Sequence, residues 1–390
     1  MREKYFCYLF ILTILLISCE KDKETPYKYS APQDIGDGID VSTLSDEGLN
    51  EIRFINMMEA VKADPFNRIH SILVFKNNKL VFEEYFEGFA LNNDPFGSDG
   101  ELMTYTRDTE HYLASISKSV TSALVGLAID HGFIGSVNDK IYEYLPEYSD
   151  ILTGEKSEIT IEHLLTMSSG LPWDEFSYPI GHPLNDHTPL FNSADPIRWV
   201  LERPMEYPPG TKFVYNSGTT NVLAAIVEES SGSTLEEFLD SYLLNPLGIY
   251  NPDYLFQRFS NGRFFASGGL YMSARELCKI GLVFLNEGKW KGSQIISSEW
   301  VSESHKERIT FSNPTSHIDS YGYQWWRNTY EVGQKDFYTY FGLGWGEQIL
   351  FIFPDEDLII QFYSGYFQND PAIYPADLVE EYILPTLITN

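Results

Sequence analysis

The chain has 390 residues, 43% of them hydrophobic and 15% aromatic, enough for one large two-lobed domain with a substantial core and too apolar for a disordered protein. Its 27 basic against 56 acidic side chains leave a net charge of −29, a field that repels nucleic acid and anionic membranes and argues against a nucleic-acid partner. The acidic residues are spread along the chain rather than gathered in a tail, which suits a solubility role.

At the N-terminus, Arg2 and Lys4 precede an apolar run from Tyr5 to Ile17. Such a run is short for a membrane span and fits a signal-peptide core. It ends Leu16-Ile17-Ser18-Cys19, which resembles the bacterial lipobox. Residues 1–19 are therefore expected to be a lipoprotein signal peptide. Lipid on Cys19 would anchor the mature chain in the cell envelope, on the periplasmic face or the cell surface. The plainer alternative is an ordinary signal peptide with an incidental cysteine. A charged run, Glu20 to Glu24, and the stretch Pro26 to Pro32 read as a tether over residues 20–45. Cys7 would leave with the signal and Cys19 would carry lipid. Cys278 remains as a lone core cysteine, and no intrachain disulfide is expected.

From Asp46 to Ala63, Leu49, Ile52, Ile55, Met58 and Val61 recur at a spacing of three, which predicts a helix. A hairpin follows: Ser71–Phe75 and Leu80–Phe86 flank an Asn77-Asn78 turn. Residues 88–108 lack a period and read as a connecting loop. Next comes Leu113 to Ala128, apolar or small around nearly its whole circumference, so a buried helix is expected there. Yet its first turn carries Ser115, Ser117 and Lys118. Ser115 and Lys118 are three apart and share a face. Burial and the positive helix end both disfavour an ammonium, so Lys118 can serve as a base beside a hydroxyl, which makes Ser115 a candidate nucleophile. The bland reading of this tetrapeptide is a capping serine and a solvated lysine.

Further helices are expected at Ile159–Thr166, near Asp195–Glu202, at Asn216–Ser231, at Thr234–Leu244, behind the capping Ser273 and at Ser297–Glu303. The aromatic-rich loop 173–191 reads as a roof over a pocket or as packing between lobes. Strand-like runs follow at Gly322–Trp326, Phe337–Phe341, Gln348–Phe353 and Leu358–Tyr363, then a helix over Pro375–Leu387. Strands at both ends and helices between them predict an α+β fold. One antiparallel sheet is built from N- and C-terminal segments (about 46–105 and 315–390), is flanked by helices, and receives an inserted, mostly helical lobe (about 106–314). There is no G-x-S-x-G elbow, no H-E-x-x-H helix and no phosphate loop. His163, His182 and His187 lack a ligand pattern, so neither metal nor cofactor is expected.

The motifs in order are Ala114-Ser-Ile-Ser-Lys-Ser-Val-Thr121, Ile159 through Pro172, Pro209 through Gly218, Gly268 through Leu277 and Gly344-Trp-Gly-Glu-Gln348, behind the hairpin ending Leu-Val-Phe-Glu-Glu-Tyr-Phe. Together they make the chain resemble the serine β-lactamase and penicillin-binding-protein superfamily. The likeness is to its class C-like side, with carboxylesterases, D-amino-acid peptidases and nylon-oligomer hydrolases. The resemblance implies the β-lactamase/transpeptidase-like fold, Ser115 as the acylated nucleophile, Lys118 as its partner and Tyr215 as a phenolate or proton relay. It further implies an oxyanion pocket from the Ser115 N–H and one N–H after the box Trp345-Gly346-Glu347, with Gln348 as the expected donor. Two departures stand out. The third position of Tyr-x-Asn is Ser217, so the usual carboxamide is missing unless Asn216 replaces it. The Lys-Thr-Gly box has lost its cation. Both point away from β-lactams and towards neutral esters or amides as small-molecule substrates, unless Arg275 or Arg327 restores a positive charge. The alternatives are a D-stereospecific peptidase, a weak β-lactamase, or a non-catalytic penicillin-binding-like sensor; the oligomeric state stays open.

Overall fold

The computed structural model describes residues 26–64, 67–91, 99–250, 254–315, 317–367 and 374–388. The proposed signal peptide, Cys19 and the first part of the tether lie outside these residues. In chain order the elements begin with β1 (Asp40–Val41), α1 (Glu51–Ala63), β2 (Ile69–Lys76), β3 (Lys79–Tyr85), β4 (Glu87–Leu91), β5 (Asp99–Thr104), β6 (His111–Tyr112) and α2 (Ile116–Asp130). Next are α3 (Ile161–Leu165), α4 (His187–Asn192), α5 (Pro196–Leu201), α6 (Ser217–Ser231), α7 (Leu235–Leu239), β7 (Tyr254–Phe256), β8 (Leu270–Met272) and α8 (Ala274–Leu285). The chain then runs through β9 (Lys289–Trp290), β10 (Ser293–Gln294), α9 (Ser298–Ser304), β11 (Ile309–Thr315), β12 (Ile318–Tyr321), β13 (Trp326–Val332), β14 (Lys335–Gly344), β15 (Gln348–Phe353), β16 (Leu358–Ser364) and α10 (Pro375–Leu378). Short helical turns carry α10 on to Leu387.

A nine-stranded sheet in the order β1-β3-β2-β16-β15-β14-β13-β12-β11 forms the frame. Its key join is antiparallel β2–β16, with Ile72 opposite Phe362, which closes the N-terminal hairpin onto the C-terminal meander. The sheet is covered on both faces. Leu73 and Phe75 of β2 with Leu350 and Ile352 of β15 enter one core with α2, α6 and α8. Ile72 and Val74 with Ile349, Phe351 and Phe353 enter the other, with α1 and the C-terminal helix. Strands buried on both faces read as continuous apolar runs rather than alternating ones, which is how these segments look in sequence. A largely antiparallel sheet from N- and C-terminal segments with helices on both faces is the α+β arrangement expected from the sequence.

Three expectations need correction. Residues 26–45 are not a tether. Tyr29 stacks on Phe82 at 6.3 Å and donates to the Val81 carbonyl, Leu44 is fully buried, and β1 pairs in parallel with β3. Aromatic and aliphatic side chains in an otherwise polar stretch gain enough by covering the hairpin to order it. Residues 88–108 are not a plain loop, because β4 and β5 pair there with Glu87 opposite Thr104. Of the run Gly322–Trp326, residues 322–325 are a turn between β12 and β13, and only Trp326 is in a strand. Gln324 adopts a left-handed φ of 61°, and Gly322 packs so closely on the Ser304 carbonyl that a side chain there would collide with it. The helical lobe also holds a small sheet, β6-β8-β7, and α8 packs on β15 and β16 rather than in that lobe.

Candidate active site

β6 delivers the chain to α2 through a tight elbow. The Leu113 amide donates to the Leu270 carbonyl at 2.9 Å, Ala114 takes a left-handed φ of 45°, and Ser115 opens the helix. A non-glycine residue there costs about 1–3 kcal/mol and persists only where the surroundings over-determine it. Ser115 occupies the N-cap position but caps nothing. Its Oγ instead lies 2.9 Å from Lys118 Nζ, which also donates to the Ser267 carbonyl at 2.8 Å. That carbonyl is fixed from both sides: Ser117 Oγ accepts from the Leu270 amide and Thr121 Oγ donates to the Ala266 carbonyl. Lys118 is 2% exposed. Among the described residues no carboxylate forms an ion pair with it. Burial pushes its amine down to about 8, with Glu175 pulling weakly the other way.

Tyr215 arrives from the turn before α6, which Asn216 caps by accepting from the Thr219 amide at 3.1 Å. The phenol ring stacks on Trp326 at 5.6 Å, lies 5.0 Å from Lys118 Nζ, and its hydroxyl is hydrogen-bonded to Ser115. Burial and then Glu175 push its pKa above the ordinary phenol value, and the bond to Ser115 does not offset them. The resting state is therefore the phenol, so of the two options read from sequence the geometry favours the relay. Asn216 turns its Oδ1 towards Gly218 and the α6 amides, and its Nδ2 finds no partner among the described residues. Ser217 donates its Oγ to Glu175 at 3.0 Å.

The opposite wall is the β14–β15 hairpin, where Gly344 pairs with Gln348 and the turn uses φ of 83° at Gly346 and 63° at Glu347. A side chain at Gly344 would come within 2.4 Å of the Leu113 carbonyl and 3.1 Å of Ala114 Cβ, so only glycine lets the strand lie against the nucleophile elbow. The segment beside Ser115 is thus Gly342-Leu343-Gly344, and the box read at Trp345–Glu347 is the turn just beyond it. The side chain of Gln348 is buried, its Nε2 donating to the Trp345, Gly346 and Ser364 carbonyls and its Oε1 accepting from the Ser364 amide, which ties the turn to β16. Trp345 stands 40% exposed, edge-on to Phe367 at 5.1 Å. No compensating arginine arrives. Arg275 is held by Glu83 and Asp37, and Arg327 by Glu307, Ser320 and Tyr338.

Glu175 escapes sequence reasoning altogether. It sits in the roof loop with its side chain 7% exposed and accepts from the Ser217 amide at 3.1 Å, the Ser217 hydroxyl and the Trp173 indole, with His187 Nε2 at 3.2 Å. No fixed spacing links it to any motif; the only hint is the acidic pair Asp174-Glu175 between Trp173 and Phe176 in an aromatic loop. The three loop histidines do not converge. His163 Nδ1 accepts from the Thr160 amide, and His182 stacks on Tyr178.

Comparison with known proteins agrees with this geometry. The Beta-lactamase family matches residues 70–382. A 6-aminohexanoate-dimer hydrolase from Paenarthrobacter ureafaciens is 27% identical over 309 residues, 76% of this chain and 72% of that protein. The fold is shared with a family VIII carboxylesterase at a TM-score of 0.65 and 15% identity, covering 85% of this chain and 96% of that one. It is shared too with a penicillin-binding protein from Bacillus halodurans at a TM-score of 0.58 and 20% identity, covering 80% and 94%. A hydroxyl and an amine paired in the elbow, with a phenol over them, in a chain matched across four-fifths of its length, mean that this protein belongs to the Beta-lactamase family of serine hydrolases.

Proposed function

We propose that the protein cleaves small neutral esters or amides through an acyl-enzyme on Ser115. The observation that carries this reading is the buried amine 2.9 Å from the Ser115 hydroxyl with no ion-paired carboxylate among the described residues. Once neutral, Lys118 keeps one N–H on the Ser267 carbonyl and turns its lone pair to the Ser115 proton. Ser115 Oγ then attacks the carbonyl carbon, and Tyr215 passes a proton to the leaving group. The anionic oxygen that forms is met by the Ser115 amide and, given that Gly344 is the strand residue against the elbow, by the Trp345 amide rather than that of Gln348. Water then deacylates the enzyme by the same proton route in reverse. Gly346 and Ser217 serve the site indirectly, one shaping the turn and the other holding Glu175.

The pocket suits apolar groups. Trp326, Phe213 and Phe311 form an aromatic wall behind Tyr215, Phe176 is 76% exposed and packs on the Tyr215 ring at 5.6 Å, and Trp345 is 40% exposed on the β14–β15 turn. This favours an aryl or alkyl ester over an anionic substrate. The activity of the Paenarthrobacter relative, named for an amide, keeps linear amides in the candidate set.

The test is fluorophosphonate labelling followed by a panel of short-chain nitrophenyl esters, D-aminoacyl amides, a linear amide dimer and a chromogenic cephalosporin. Ser115→Ala is expected to lose labelling and essentially all turnover, several powers of ten. Retained ester turnover would remove Ser115 as nucleophile. Activity should rise with pH through about 8, as Lys118 loses its proton. We extend the proposal to a lipid anchor on Cys19, supported by the sequence Leu16-Ile17-Ser18-Cys19. Cys19→Ala should move the protein from the membrane to the soluble fraction, and unchanged partition would sink that part.

A further inference from the structure

Most buried polar clusters in this molecule have an evident structural purpose. Arg275 joins the N-terminal segment to β3, and the hydrogen-bonded pair His70–His111 joins β2 to β6. Glu175 differs in what it carries. It joins the roof loop to the first residue of α6 and brings a buried negative charge beside Tyr215.

Its surroundings are built to keep that charge. Oε1 accepts the Ser217 hydroxyl at 3.0 Å, while Oε2 accepts the Ser217 amide at 3.1 Å and lies 3.2 Å from His187 Nε2. The Trp173 indole adds another donor. Ser217 is the first residue of α6, a helix of 15 residues, so its amide belongs to the positive end of that helix. Burial alone would push this carboxyl up, yet His187, Lys118 and Ser217 hold it down at about 2. The anion faces Lys118 of α2, Tyr112 of β6, Tyr215 before α6, Tyr321 of β12, His187 of α4 and Asp174 of its own loop. It is hydrogen-bonded to neither Lys118 nor Ser115, so it acts on the centre through space and through Ser217.

We propose that Glu175 is a positioning residue, a counter-charge at one remove that holds the Tyr215–Ser217 turn in place and sets the pH at which Lys118 becomes a base. The logic is one of distance. A carboxylate in direct contact would keep Lys118 charged and useless as a base, whereas none at all would leave the amine to burial. A carboxylate one residue away, shared with Ser217 and His187, raises the proton affinity of Lys118 only partly and favours the protonated phenol at Tyr215. The inference rests on the acyl-enzyme reading above.

The experiment uses the full chain and reads kcat/KM for a short-chain nitrophenyl ester, and the rate of fluorophosphonate labelling, from pH 5 to 10. Removing the anion lowers the proton affinity of Lys118, so Glu175→Gln is expected to shift the acid limb to lower pH, by on the order of one unit. Glu175→Asp, which keeps the charge, should hold the limb near its wild-type position even where the plateau rate falls. Should Glu175→Gln prove too unstable, Glu175→Ala titrated with formate replaces it; formate is expected to move the limb back up. A Glu175→Gln protein that labels at Ser115 with an unshifted limb, or a Glu175→Ala limb indifferent to formate, overturns the inference. Absence of labelling in the wild type would instead overturn the acyl-enzyme reading, and the two failures cannot be confused.

Discussion

The first turns of α2 and α8 begin alike and end differently. Each opens on a serine in the N-cap position and carries a cation that is 2% exposed, Lys118 in α2 and Arg275 in α8. In α8 the serine does its ordinary work, Ser273 Oγ accepting from the Glu276 amide at 3.3 Å. Arg275 is saturated by Glu83 at 2.7 and 2.6 Å, Asp37 at 3.0 Å and the Gln33 carbonyl. Burial pulls its pKa down, but Glu83 and Asp37 outweigh that and hold it above the ordinary guanidinium value. In α2 the serine caps nothing and the amine meets only a hydroxyl, a carbonyl and a ring face. Direct carboxylates make a buried cation a structural clamp; withholding them makes it a base.

Substituting the two cations should therefore break different things. Lys118→Met should lower kcat by roughly 10²–10⁴-fold, as expected for loss of a general base, while the melting temperature holds or rises because a poorly compensated buried amine has gone. A melting temperature that fell steeply would mean that Lys118 is structural, like Arg275. Arg275→Met should do the reverse. It strands Glu83 and Asp37, and breaking such a buried group typically costs about 3–5 kcal/mol, read by denaturant unfolding, with little change in kcat per folded molecule.

A smaller effect concerns what the far wall lacks. With Arg275 and Arg327 both engaged elsewhere, no described cation faces the elbow from β14. A lost charge-assisted contact is worth about 1.5–3 kcal/mol, so kcat/KM for a chromogenic cephalosporin should fall at least one to two powers of ten below that for a short-chain nitrophenyl ester. Equal values would show that the missing box cation does not govern selectivity.

The smallest effect sharpens the comparison from the other side, with buried bases that never need to ionise. His70 Nδ1 lies 2.8 Å from His111 Nε2, and burial holds both rings below the ordinary imidazole value. Below the unfolded value of about 6.5 the unfolded chain binds protons that the folded chain refuses, so stability falls as pH drops, by up to about 1.4 kcal/mol per pH unit for each proton. His111→Gln should flatten that slope in urea melts between pH 6.5 and 4. An unchanged slope would place the acid sensitivity in the carboxylates.

Much of this protein was legible from the chain alone. The pairing of Ser115 with Lys118 follows from helical geometry, because residues three apart share a face whatever surrounds them. The β2–β3 hairpin, the cap Ser273, and the core strands follow likewise from local chemistry and apolar runs. Motif order then supplied the family. Only the tertiary structure decided the rest. Residues 26–45 look like a polar linker until the hairpin they cover is present. The strand segment against Ser115 is Gly342–Gly344 and not the next three residues, because register is set by the Gly344–Gln348 pair and by the room glycine leaves at the elbow. Glu175 was invisible for the same kind of reason. Its role depends on His187, the Ser217 amide and Lys118 meeting across 12, 42 and 57 residues of sequence, and an electrostatic field depends on distance through space, which spacing along the chain does not encode.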